Sequence, residues 1–149
     1  MSGRPKRPQR KKFDMLIVLS SLDVFIGFIF AVVSFPLITG SVQRNDSYGV
    51  RNKGTLASDE VWYPVNRFAG KVMLIYGIVL FLLGLAGVIM HLNKIPIPIP
   101  LGFIIGFGPL WVMLSMVHVD TYQRKHFPED QVIAKKKADD AATPDTQRS

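Results

Sequence analysis

Met15 to Ile38 reads MLIVLSSLDVFIGFIFAVVSFPLI, with one charged side chain, Asp23, in the whole run. A helix needs about 20 apolar residues to cross the hydrocarbon core of a bilayer, and this stretch supplies them. A second run, Val72 to Met90 (VMLIYGIVLFLLGLAGVIM), has no charge at all. A third, Leu101 to Val117, is interrupted only by Pro109, which the sequence predicts as a kink of the kind membrane helices tolerate. The fold class that follows is all-α: an integral membrane bundle of about three transmembrane helices.

The distribution of charge supports this reading. The 149 residues are 48% hydrophobic with a mean hydropathy of +0.24, yet the charged residues gather in the first twelve positions, the central loop and the C-terminal tail. A net charge of +7 would suggest nucleic acid in a water-soluble chain. Here the basic residues flank apolar runs, where they meet anionic headgroups and fix orientation, so the partner expected is the lipid bilayer and not nucleic acid. Cysteine is absent, which removes disulfides, thiolate metal sites and a cysteine nucleophile.

Three regions result. Residues 1–12 form a basic, proline-containing arm that cannot bury a core and is expected to be disordered. Residues 13–118 form the transmembrane domain, and residues 119–149 a polar tail also expected to be disordered. A basic start before an apolar run also describes a signal peptide, but those cores span about 7 to 15 residues, so a retained anchor is expected. Ser58 is a good N-cap, with Asp59 and Glu60 in the following turn, so a helix is expected to begin there and continue into the second span. The alternating prolines of Ile95 to Pro100 predict an extended connector. With three spans, the arm and second connector share one side with seven Lys and Arg, and the central loop and tail share the other with eleven. The compact arm just before the first helix nonetheless favours a cytoplasmic N-terminus in the cell membrane.

Within the spans, Asp23 is the sharpest feature, because an ionisable group inside a membrane helix normally faces protein or water. Ser20, Asp23, Gly27, Ala31 and Ser34 recur at spacings of three and four and share one small, polar face. That face admits two readings: a proton, ion or ligand site, or a packing hydrogen bond. Gly70, Gly77 and Gly84 recur every seven residues, with Gly87 beyond, and Gly102 with Gly106 makes a small-xxx-small pair. Such residues let backbones approach where lipid supplies no hydrophobic drive, so these positions are expected to pack helices. His91, His118 and His126 lack metal-ligand spacing, and no nucleophile, phosphate loop or paired carboxylates suggest catalysis. The sequence points to no metal, no cofactor and no enzyme.

The central loop carries a further pattern: Gly49-Val50-Arg51, then Leu56, Ser58 and Glu60, then Trp62, Asn66, Gly70 and Gly77. It resembles the SdpI family of bacterial membrane proteins, with their Gly-x-Arg turn and Trp-x-x-x-Asn-x-x-x-Gly helix start. The likeness covers about Gly49 to Gly84, with Asn52 where threonine is common and Val65 where alanine is common, and with fewer spans than the longer immunity proteins. The resemblance implies protection against, or sensing of, a secreted toxic peptide. Trp62, Asn66 and Gly70 fall at i, i+4 and i+8 on one helix face with Arg51 within reach, so they are either a peptide-recognition surface or an anchor with a loop brace. The competing function is an accessory structural subunit of a larger membrane complex.

Overall fold

The computed structural model describes residues 15–142, and in these the chain forms five helices. They are α1 (Met15–Thr39), α2 (Asp59–Leu92), α3 (Ile99–Gly106), α4 (Gly108–His126) and α5 (Glu129–Ala142). The basic arm lies outside the described residues, as does the end of the tail.

Helices α1 and α2 are each long and apolar enough to cross a membrane. They pair as an antiparallel hairpin, and glycines set the distance between them. A Cβ added to Gly27 would lie 2.5 Å from the Phe81 backbone nitrogen and 2.6 Å from the Gly77 carbonyl oxygen. One added to Gly84 would lie 2.6 Å from the Ser20 carbonyl oxygen. Neither position has room for a side chain, so the two backbones touch along the seam. The buried face of α1 in this seam is Ser20, Asp23, Gly27, Ser34 and Leu37, the small and polar face read from the sequence with Leu37 added and with Ala31 half-buried beside Gly77. The opposite face presents Phe25, Phe28, Val32 and Phe35, all exposed, as a lipid-facing surface requires.

The third expected span differs from expectation: among the described residues only α1 and α2 are helices long and apolar enough to cross a membrane. It is two helices broken at Phe107, and the break precedes Pro109. Proline falls in the first turn of α4, where its missing N–H takes nothing from the helix, so it starts a helix instead of kinking one. The connector is extended only as far as Pro98, because Ile99 and Pro100 already form the first turn of α3. The pair Gly102 and Gly106 is also not a close-packing site. The nearest atoms to their added Cβ positions, Leu16 Cδ2 and Leu19 Cδ1, stand 3.8 and 3.9 Å away, which is ordinary contact. The glycine of this region that does meet another helix closely is Gly108.

The tail is a second correction. From residue 119 the chain stays helical to His126 and again from Glu129 to Ala142. Its polarity conceals a few apolar anchors: Val119, Tyr122, Phe127 and Val132 pack with Val61, Val65, Phe68 and Ala69 of α2. Helix α2 has 34 residues, a length of roughly 51 Å, and so outruns a hydrocarbon core of about 30 Å. Its first three turns are enclosed by this cluster and form a cap at the end of the bundle. The loop at 40–58 and α5 occupy that end, and residue 15 and the connector before α3 occupy the other.

Gly84→Leu should therefore force the hairpin apart and cost about 3 kcal/mol or more, whereas Gly102→Leu should be tolerated. Thermal unfolding of the two variants in detergent, followed by helical circular dichroism, measures the contrast. Similar losses for both would contradict the seam.

Candidate functional site

The cap is tied together by the motif residues. Trp62 is 0% exposed and donates its Nε1 hydrogen to the Val42 carbonyl at 3.0 Å. Asn66, 3% exposed, accepts from the Val50 N–H at 2.6 Å and donates from Nδ2 to the Trp62 carbonyl at 3.0 Å. One side chain thus closes a loop sixteen residues back in sequence. Gly49 permits this: its φ of +106° lies in the region that favours glycine, and a Cβ there would stand 3.1 Å from Asn66 Cγ. Gly70 lies one step further along the same face, where its added Cβ would be 2.9 Å from Leu37 Cβ of α1.

Arg51 closes the turn from outside. It is exposed, and its guanidinium donates to the Asp46 carbonyl. Beside it, Asn52 and Thr55 exchange hydrogen bonds, each backbone N–H reaching the other's side-chain oxygen at 2.9 Å. The Asn52 amide also pairs reciprocally with buried Gln123, at 2.7 and 2.9 Å, and fastens the loop to α4. Tyr48 donates its hydroxyl to the Val33 carbonyl, in the turn of α1 before Pro36, and burial pushes its phenol up, which keeps it a donor. The family model described as the SdpI/YfhL protein family matches residues 41–119, more than half the chain. The chain belongs to that family. No curated protein and no solved structure matches it.

The structure brings the SdpI-family residues Trp62, Asn66 and Gly70 onto one face, and that face points inward. Their neighbours are the loop and α1, so they brace the fold, and no peptide can reach them without unfolding the loop. Of the four candidate binding residues only Arg51 faces water. Ser58 starts α2 at the expected place, but only its backbone carbonyl serves the first turn, since its hydroxyl makes no capping bond.

One accessible feature of the cap is a cleft of about 620 Å³ between the start of α2 and α5. Arg44, Asp59, Glu60, Lys135 and Asp140 stand around it, with Val61, Phe127 and Val132 beneath. Lys135 reaches Glu60 across the cleft at 2.6 Å, a hydrogen bond that holds its ammonium above the usual lysine range, and Arg44 lies 3.4 Å from Asp59. Sequence reasoning missed this cleft because it assigned α5 to a disordered tail. The one signal available was the pairing of Glu129 and Asp130 with a following Val132, an acidic first turn before an apolar anchor.

Inside the membrane, Asp23 is fully buried against Gly84 and Gly108. Neither of its oxygens has a hydrogen-bond partner among the described residues, so the packing hydrogen bond expected as one reading is not made. Ser34, on the same face, returns its hydroxyl to the Ala31 carbonyl at 2.7 Å. Among the described residues no three His, Cys, Asp or Glu side chains come together as metal ligands.

Asn66→Ala should leave the Val50 N–H unpaired at a cost of about 1–3 kcal/mol and free the loop. Limited proteolysis of membranes should then cut faster between residues 43 and 57 than in the parent. An unchanged cleavage rate would show that the clamp does not hold the loop.

Proposed function

We propose that this SdpI-family protein resides in the cell membrane with its N-terminus in the cytoplasm and acts by binding, not catalysis, at its cap. The ligand is a secreted toxic peptide, and the role is immunity to it or sensing of it. Family membership supports the class of function. The observation that carries the location is the cleft between α2 and α5: it is water-accessible, has an apolar floor and is rimmed by both signs of charge. A cytoplasmic N-terminus places that end of the bundle outside, where a secreted peptide arrives. The clamp at Trp62 and Asn66 serves this role indirectly, by keeping the cap in one shape before the ligand binds, which lowers the ordering cost of binding.

The reading separates fold from function at the residue level. Asn66 and Gly70 test folding, whereas Asp140→Lys and Lys136→Glu reverse charge on the cleft rim at exposed helix positions. In cells lacking the native gene, the parent should restore survival against toxic peptides from the same source. The rim variants should accumulate equally in the membrane and restore it at least tenfold less well. If deleting the gene leaves sensitivity to all such peptides unchanged while a larger membrane complex loses stability, the accessory-subunit reading replaces this one.

A further inference from the structure

Helix α2 ends in a capping motif whose key position carries lysine in place of glycine. The Lys94 N–H donates to the His91 carbonyl at 3.0 Å and the Ile95 N–H to the Met90 carbonyl at 2.9 Å. This pair of bonds requires a left-handed residue just past the helix end, and glycine is the usual one. Here it is Lys94, with φ +57°, so the turn carries an ammonium group at a cost in backbone energy that glycine would avoid. The uncharged run of α2 closes at Met90, which puts Lys94 where hydrocarbon gives way to headgroups.

The same turn walls a cavity of about 540 Å³, lined by Lys94, by Leu16 of α1, by Leu92 of α2 and by Ile95 and Ile97 of the connector. The start of α3 stands beside these walls: a Cβ on Gly102 would meet Leu16 Cδ2 at 3.8 Å and Ile97 Cγ2 at 4.0 Å. Prolines at 96 and 98 stiffen the connector, so the cavity keeps its shape. Neither residues 15–22 nor residues 85–106 contain an Asp or Glu, and the sequence ahead of α1 brings six Lys and Arg against one acid, Asp14. The lining therefore joins a cation to apolar walls at headgroup depth. An anion with an apolar tail satisfies both parts, whereas a free phosphate would leave the leucine and isoleucine walls uncovered.

We propose that this cavity is a site for one anionic phospholipid, with Lys94 against the phosphate and the apolar walls against the start of the acyl chains. The site lies at the opposite end of the bundle from the cleft and does not depend on the peptide reading. Lipid bound there supports the turn and connector that lead into α3 and α4.

A bound lipid stabilises the folded state according to its concentration relative to its dissociation constant. Purified full-length protein in neutral detergent should therefore show a saturable rise of its thermal midpoint with phosphatidylglycerol and none with phosphatidylcholine of the same chains. Native mass spectrometry should retain one phosphatidylglycerol per chain. Lys94→Gly should weaken that binding about fivefold or more, yet be at least as stable as the parent without lipid, because glycine suits the turn. Lys94→Gln removes the charge and keeps a side chain, and should weaken binding as much; if either variant does not fold, the other decides. Lys71→Gln, at the opposite end of the uncharged run, should bind like the parent. Equal losses at Lys94 and Lys71 would reduce the effect to diffuse charge attraction and overturn the site. So would parent-like binding by the Lys94 variants, no preference between the two lipids, or soluble glycerol phosphate raising the midpoint as far as phosphatidylglycerol does.

Discussion

Contact between the backbones of α1 and α2 is the constraint on which everything else in this protein rests. Lipid gives two apolar helices no hydrophobic reason to associate, so the association must come from close packing and from polar groups withdrawn from the hydrocarbon. Gly27, Gly77 and Gly84 supply the closeness, because each faces backbone atoms of the partner helix with no room for a methyl group. The antiparallel register they fix runs from Gly70 beside Leu37 at the cap to Gly87 beside Ser20 near the far end. That register places Asp23 beside α2 and under the start of α4, and it aligns the loop so that Val50 meets Asn66.

The cap inherits its rigidity from this hairpin and adds its own water-side chemistry. Side-chain bridges hold it, among them Trp62 to Val42, Asn66 to Val50, and Asn52 to Gln123. All are buried or partly buried, so each leaves an unmet donor or acceptor if broken. The ion pairs on the cleft rim are exposed and contribute little to stability, which leaves them available for recognition. Fold and candidate function are thus carried by different residues of the cap.

The transmembrane fold was legible because hydrophobic length and glycine spacing are local properties. Ser20, Asp23, Gly27 and Ser34 can be assigned to one buried face by periodicity alone, and Gly70, Gly77 and Gly84 to its complement. The site was less legible. Periodicity places Trp62, Asn66 and Gly70 together but cannot say what covers them, because their partners Val42, Val50 and Leu37 lie distant in sequence. Gln123 carries no signal, since an amide on a polar helix is indistinguishable from a solvated one until Asn52 is seen opposite it. The glycine that reaches Asp23 is Gly108 and not Gly102 or Gly106, because a break at Phe107 redirects the chain, and spacing within one helix does not foresee a change of axis. Polarity hid α5 for the same reason: a few apolar residues suffice to dock a short helix on an existing core.

The absence of cysteine makes the central claim directly measurable. A Cβ at Gly77 would lie 2.9 Å from that of Phe30, inside the roughly 3.5–4.5 Å spanned by a disulfide, so parting the helices by about 1 Å at this point admits the bond. Phe25 faces lipid on the same helix. In native membranes treated with mild oxidant, the pair Phe30→Cys with Gly77→Cys should form an intramolecular disulfide, seen as a mobility shift that reductant reverses, while Phe25→Cys with Gly77→Cys should not. Failure of the first pair to cross-link, or equal cross-linking of both, would contradict the backbone seam and the account built on it.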